Sequence, residues 1–125
     1  MQNLDKIKKI EKIINAELTS KITNSEFEFD ELLIKTNTEN LTEVIRFLKS
    51  NNECKFKQLI DIAGVDYPIK EKRFKLIYLL LSHEMNLRIK LLIDIDLSQN
   101  VPSITKIFPS ANWMEREIFD MYGIK

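Results

Sequence analysis

The stretch Phe74–Ile95, FKLIYLLLSHEMNLRIKLLIDI, decides the fold. In its second half the apolar residues Leu87, Ile89, Leu91, Ile93 and Ile95 alternate with other positions, three of which hold the charged residues Arg88, Lys90 and Asp94. This alternation is typical of a β-strand with one buried and one solvent-facing side. Its first half is apolar on both faces over Ile77 to Leu81, which predicts a strand that lies centrally in a sheet. The polar segment Ser82–Asn86 predicts a hairpin turn between the two strands.

Two further strands are predicted upstream of this hairpin. Leu59 to Tyr67 completes an antiparallel meander of three consecutive strands. Gly64 interrupts the apolar pattern of that strand, which indicates a bulge or a close approach of another backbone. Leu32 to Ile34 is the fourth predicted strand, and the preceding polar segment, 20–30, is assigned to no strand.

Helical periodicity predicts the layer that covers this sheet. In the first helix the apolar spacing follows Leu4, Ile7, Ile10, Ile14 and Leu18. In the second helix it follows Leu41, Val44, Ile45 and Leu48, and this helix should end near Ser50. The fold class is therefore α+β: a mostly antiparallel sheet of about four strands, covered by amphipathic helices, in a single domain spanning residues 1–125.

The C-terminal stretch predicts a third helix from Pro109 to Tyr122. Proline suits the first positions of a helix, and Gly123 is a typical residue just beyond a helix end. One face carries the apolar residues Ala111, Met114, Ile118 and Met121. The opposite face carries Trp113, Arg116, Glu117 and Asp120, where Arg116 and Asp120 could pair across one turn. A tryptophan among charges indicates either an interface anchor or a half-buried indole on an ordinary amphipathic helix.

Composition excludes several functional classes. Lys+Arg and Asp+Glu both number 19, so the net charge is zero and nothing favours nucleic-acid binding. Cys54 is the only cysteine and cannot by itself hold an iron–sulfur cluster. No apolar run is long enough to span a bilayer, and the N-terminus resembles no import sequence. With two glycines in the chain, no phosphate-binding glycine-rich loop is present.

No catalytic constellation emerges from the remaining residues. His83-Glu84 lacks the second histidine of a zinc motif, since the required position holds Leu87. Cys54 is expected to be a small buried residue rather than a reactive thiol. Glu115 and Glu117 fall on different faces of one helix and form no carboxylate pair.

The segment WMEREIFDMYGI, Trp113–Ile124, closely resembles a signature of the thirty-kilodalton subunit, or C subunit, of respiratory complex I. Upstream blocks resemble the same family in the same order: Leu59–Pro68, Glu71–Phe74 and Val101–Pro109. The resemblance therefore covers about the second half of the chain, and several blocks in register are more specific than one motif. In that family a further tail follows the signature, so we expect the C-terminal tail to be absent from this chain, which ends at Lys125.

The resemblance implies a non-catalytic structural subunit of the peripheral arm of NADH:quinone oxidoreductase. NADH, flavin, iron–sulfur clusters and quinone would then belong to partner subunits, and this chain would bind no cofactor or metal. Its main partner would be the quinone-site subunit related to hydrogenase large subunits, contacted through Trp113, Arg116, Glu117 and Asp120. The expected location is the cytoplasmic side of the bacterial inner membrane, where partners would hold the chain.

Two alternatives remain open. The chain could be the equivalent subunit of a membrane-bound hydrogenase or of a related quinone-reducing dehydrogenase. It could also be a freestanding small α+β enzyme that uses His83 or Cys54, which the absence of a catalytic set disfavours.

Overall fold

The computed structural model describes residues 2–28, 31–51, 54–67, 74–84, 86–96 and 101–122. In chain order the elements are α1 (Gln2–Glu17), β1 (Ile22–Glu28), β2 (Glu31–Thr36), α2 (Leu41–Ser50), β3 (Gln58–Asp66), β4 (Phe74–Ser82), β5 (Leu87–Ile95) and α3 (Ala111–Tyr122). The predicted α+β class is confirmed. The helix cap predicted at Gly123 lies outside the described residues.

The strands form one five-stranded sheet in the order β1-β2-β5-β4-β3. The antiparallel meander β3-β4-β5 is confirmed. β2 joins the meander by pairing parallel to β5, so the sheet is mixed rather than wholly antiparallel. β4 has a neighbouring strand on each side. The middle strand of the five is nevertheless β5, because β2 pairs with the edge of β5 that faces away from β4.

β1 is the strand that the sequence did not predict. Its sequence, ITNSEFE, is mostly polar, and it pairs only with β2, in antiparallel register. It lies at the edge of the sheet, where hydrogen bonding to one neighbour suffices and little apolar alternation is needed. The register also shifts between Ile22 and Asn24, which further weakens the period-two pattern.

One face of the sheet packs against the helices and forms the core. The alternate residues of β4 and β5 that point to this face are buried, from Phe74 to Ser82 and from Leu87 to Ile95. Ile10 and Ile14 of α1 and all four predicted apolar residues of α2 are buried in the same cluster. The amphipathic character predicted for α1 and α2 is therefore confirmed where side chains are described.

The other face of the sheet is covered by none of the described helices, whose apolar sides all pack on the core. We call it the uncovered sheet face. Its aliphatic side chains are only partly buried, namely Leu33, Ile77, Leu79, Leu81 and Leu92. Charged side chains lie between them, namely Glu31, Lys35, Lys75, Lys90 and Asp94.

Gly64 pairs in register with Leu76, so the strand has no bulge there. The irregularity in this strand pair lies instead between Leu59 and Asp61. Because Leu76 is a core residue, its partner Gly64 also lies on the helix-covered face, and α3 packs against β3 on that side. The other expectation for Gly64, a close approach of another backbone, stays a prediction.

Candidate partner-binding helix

The segment Val101–Ser110 leads into α3 through two successive turns. The amides of Ile107 and Phe108 both donate to the carbonyl of Ile104, at 3.0 and 2.8 Å, and close the first of these turns. The helix begins at Ala111, two residues later than predicted. Pro109 lies in the preceding turn, where its carbonyl accepts from the amide of Asn112 at 3.2 Å.

The inner face of α3 joins the core largely as its spacing predicted. Ala111 is buried, while Met114 and Ile118 pack against the core cluster. The side chain of Met121 is not among those described.

Glu115 is also on this inner face and is 6% exposed. Its carboxylate accepts from the hydroxyl of Ser103 at 2.7 Å and from the amide of Ile104 at 2.8 Å. Sequence reasoning missed this residue, although it follows the buried Ala111 by four positions and therefore lies on the same stripe. Its buried charge ties α3 to the segment that precedes it.

A second charged side chain holds the same segment from the side of α2. The ammonium of Lys49 donates to the carbonyl of Ile107 and lies 5.0 Å from the centre of the Phe108 ring. Glu115 thus binds an amide of this segment, and Lys49 binds a carbonyl. Together these contacts fix where α3 begins and which way its outer face points.

Tyr78 of β4 lies near this cluster and is completely buried. Its hydroxyl has no hydrogen-bond partner among the described residues. Burial, and secondarily the negative charge of Glu115, raises the pKa of the Tyr78 hydroxyl well above its ordinary value. The phenol therefore stays protonated throughout the physiological pH range.

The outer face of α3 is exposed and carries the four residues Trp113, Arg116, Glu117 and Asp120. Trp113 is 66% exposed and is the one large exposed hydrophobic residue in the described part of the chain, so the half-buried alternative is wrong. No ion pair joins Arg116 to Asp120, both of which the structure describes, so the pairing that their spacing allows is not formed. The face therefore presents an indole, a guanidinium and two carboxylates to the exterior.

The residues considered for catalysis lie apart from this helix. His83 is exposed in the β4–β5 turn, where its Nε2 contacts the side-chain oxygen of Gln58. Cys54 is fully buried, as expected. Within the described ranges, no group of His, Cys, Asp and Glu residues could hold a metal ion.

A profile of the family described as respiratory-chain NADH dehydrogenase, 30 Kd subunit, matches residues 34–125. The chain belongs to this family. The match spans the end of β2, α2, the meander β3-β4-β5 and α3. The predicted resemblance to the thirty-kilodalton subunit of complex I is confirmed.

Two curated relatives show how far this likeness extends. The C subunit of NADH-quinone oxidoreductase from Rhodospirillum rubrum is 41% identical over 123 residues, covering 98% of this chain and 58% of the relative. The protein of the same name from Ruegeria pomeroyi is 48% identical over 96 residues, covering 77% of this chain and 48% of the relative. The chain therefore spans only about half of the length of these 30 Kd relatives.

The fold also occurs in a solved respiratory assembly. A chain in the structure of the membrane-bound sulfane sulfur reductase, an archaeal respiratory membrane complex, superimposes with a TM-score of 0.76. The match covers 94% of this chain and 69% of that chain, at 24% identity, and it establishes the shared fold. Among the helices described here, none is sufficiently long and apolar to cross a membrane.

Proposed function

We propose that this chain is a non-catalytic structural subunit of the peripheral arm of proton-translocating NADH:quinone oxidoreductase. It supports electron transfer from NADH to quinone by holding neighbouring subunits in place. Membership in the 30 Kd subunit family and the names of the relatives support this role. NADH, flavin, iron–sulfur clusters and quinone are then bound by partner subunits, and the chain is held at the cytoplasmic side of a bacterial inner membrane.

The observation that carries the proposal is the exposure of Trp113 on the outer face of α3. Leaving a large aromatic side chain in water is unfavourable, and tryptophan and arginine are the residues most enriched at the energetic centre of interfaces. Arg116 and Asp120, which do not pair with each other, are available for charged groups of a partner. The partner is the quinone-site subunit related to hydrogenase large subunits, and this helix is the surface that receives it.

The carboxylate of Glu115, on the inner face of α3, supports a structural rather than a catalytic role. Both oxygens of the Glu115 carboxylate accept hydrogen bonds from the chain itself. Cys54 is fully buried, and an inaccessible thiol is a poor nucleophile. The carboxylate of Glu115 is therefore engaged in holding α3 in place.

The test compares Trp113→Ala and Arg116→Ala with Arg46→Ala, which removes an exposed arginine from α2. Each full-length variant is expressed in the source organism, and its share in gently solubilised membrane assemblies is quantified by mass spectrometry. We expect Trp113→Ala to reduce incorporation about tenfold, as is typical for an interface anchor, while Arg46→Ala has no effect. Wild-type incorporation of both α3 variants, with unchanged thermal stability of the free chain, would refute the docking role.

The shared fold of the archaeal respiratory complex favours a second candidate, the equivalent subunit of a related membrane-bound reductase or hydrogenase. The same affinity purification separates the two roles. Recovery of flavin-containing and NADH-oxidising subunits supports the first, and recovery of hydrogenase subunits supports the second. Substrate turnover by the purified chain alone would instead indicate a freestanding enzyme.

A further inference from the structure

α3 has little buried apolar surface with which to fix its rotation on the sheet. Of its described side chains only Ala111 and Glu115 are buried, and the apolar residues Met114, Ile118 and Phe119 are only partly covered. By contrast, α2 buries four aliphatic side chains along one stripe. Apolar contacts have no preferred direction, so a small apolar face leaves the rotation of a helix loosely determined. Apolar packing alone therefore does not set the orientation of α3.

The carboxylate of Glu115 supplies contacts that do have a direction. Its Oε1 accepts from the hydroxyl of Ser103 at 2.7 Å, and its Oε2 accepts from the buried amide of Ile104 at 2.8 Å. Hydrogen bonds to a charged acceptor are stronger than neutral ones, and they weaken steeply when their angle changes. Because a rotation of α3 would break both bonds, the carboxylate fixes the helix about its own axis.

This fixed rotation determines where the indole of Trp113 points. Two positions along a helix correspond to a rotation of about 200°, so Glu115 and Trp113 lie on opposite sides of α3. Their exposed fractions, 6% and 66%, agree with this placement. The segment that Glu115 holds is itself bound to α2, because the ammonium of Lys49 donates to the carbonyl of Ile107. The core thus orients Trp113 through the carboxylate behind it.

The buried charge of Glu115 is itself unfavourable, which indicates a role in orientation beyond stability. None of the described lysines or arginines forms an ion pair with it. Two neutral donors only partly replace the hydration that a buried carboxylate loses. Buried polar groups that are satisfied by hydrogen bonds can nevertheless give a structure one defined geometry.

We propose that Glu115 is a positioning residue for docking: its two hydrogen bonds hold α3 at the rotation in which Trp113 meets the partner subunit. This inference rests on the proposed function, because it needs a partner that α3 receives. It adds that recognition depends on a buried residue that the partner does not touch. Loss of the carboxylate should therefore weaken docking even when the chain stays folded and Trp113 is present.

The first test separates orientation from stability. Glu115→Ala removes both bonds, and Glu115→Gln keeps an acceptor for the amide of Ile104. Ile14→Val and Ile14→Ala are the controls, since they remove buried methyl groups from α1 and bracket a range of stabilities without touching α3. Each full-length variant is expressed in the source organism, and its incorporation into gently solubilised membrane assemblies is quantified by mass spectrometry. Urea midpoints are measured on the purified chains.

We expect Glu115→Ala to lower incorporation about tenfold, as for the loss of an interface anchor. Glu115→Gln should restore it to within about twofold of the wild type, because its amide oxygen can accept from the same donor. The Ile14 variants should shift the urea midpoint and keep wild-type incorporation. If the Ile14 variant whose midpoint is nearest to that of Glu115→Ala lost incorporation equally, stability alone would explain both results and the inference would fail.

The comparison with Trp113→Ala distinguishes this inference from the proposed function. Wild-type incorporation of Glu115→Ala beside a loss for Trp113→Ala would overturn the positioning role and leave the docking role of α3 in place. Wild-type incorporation of Glu115→Ala, Trp113→Ala and Arg116→Ala would overturn both.

A second measurement follows the orientation of α3 in the free chain and needs no partner. Spin labels on Asp120→Cys and Arg46→Cys report the distance between exposed positions of α3 and α2, and the fully buried Cys54 gives little background. We expect Glu115→Ala to broaden the distance distribution, whereas Glu115→Gln and Ile14→Val keep it as narrow as in the wild type. An unchanged distribution in Glu115→Ala would show that α3 keeps its rotation without the carboxylate, and would overturn the inference.

Discussion

Glu115 shows how one buried charge can determine the position of a whole helix. Its two hydrogen bonds, to Ser103 and to the amide of Ile104, cross from α3 to the preceding segment. We expect Glu115→Ala to lower the free energy of unfolding by about 2 kcal/mol, because the buried amide of Ile104 loses its acceptor. Glu115→Gln should cost less, since the amide oxygen can still accept one bond. Urea denaturation measures both.

The matched control for Glu115 is Ser103→Ala, which removes the more exposed of the two donors and leaves the amide bond intact. We expect its cost to stay below about 1 kcal/mol. If Glu115→Ala were as stable as Ser103→Ala, the contact to the Ile104 amide would not be stabilising α3.

Tyr78 gives a prediction of pH dependence. Its hydroxyl is buried without a described partner, so Tyr78→Phe should leave stability unchanged or raise it by up to about 1 kcal/mol. The raised pKa means that the unfolded chain releases the phenolic proton first, near pH 10.0, while the folded chain retains it. The wild type should therefore lose stability as the pH rises above that value.

Denaturation of the wild type and Tyr78→Phe between pH 8 and pH 11 isolates this contribution, since lysine titration is common to both proteins. The difference between their free energies of unfolding should widen only in the alkaline part of the range. A constant difference across the range would show that Tyr78 titrates at its ordinary pKa in the folded chain.

At the scale of elements, the sequence predicted the helices and strands that have a clear apolar periodicity. The apolar spacing of α1 and α2 and the alternation of β5 depend on local patterns, and all three were predicted from them. β1 could not be predicted in this way, because its residues make edge pairing with β2 rather than a buried face. Trp113 and Glu115 show the same limit for α3. The helical period indicates which residues share a face of the helix, but not which polar residue is buried or which aromatic residue is exposed.

The contact between Lys49 of α2 and the segment that precedes α3 can be tested at this scale. Lys49→Met removes the ammonium that binds the Ile107 carbonyl and contacts the Phe108 ring, while preserving the length of the side chain. We expect a loss of about 1 kcal/mol in the free energy of unfolding, since the group is only partly buried. The amides of Ile107 and Phe108 should also exchange with deuterium faster than in the wild type.

Arg46→Met on the same helix is the control for Lys49→Met, because Arg46 is exposed. Its amide exchange in segment 104–108 should match that of the wild type. Similar exchange in both variants would mean that the turn before α3 is stable without Lys49.

At the scale of the whole molecule, the strand order was beyond local sequence reasoning. The sequence predicted the meander, whose neighbours are consecutive along the chain. The parallel pairing of β2 with β5 joins segments that are far apart in sequence, and it places β5 rather than β4 at the centre. Such pairings depend on the assembled core, in which α1 packs against β2 and the buried residues of α1, α2, β2 and β5 form one cluster.

The last prediction concerns the N-terminal region, which lies outside the family match beginning at residue 34. Ile7, Ile10, Ile14 and Leu18 of this region are nevertheless buried in the common core. Deleting residues 1–20 should remove about 6–12 kcal/mol of apolar burial, comparable to the total stability of an ordinary domain. We expect the shortened chain to lose its cooperative unfolding transition by circular dichroism. Replacing the exposed Lys8 and Lys12 with Ala should leave that transition unchanged. A cooperative transition at the wild-type denaturant midpoint would instead show that β1–β5, α2 and α3 fold without α1.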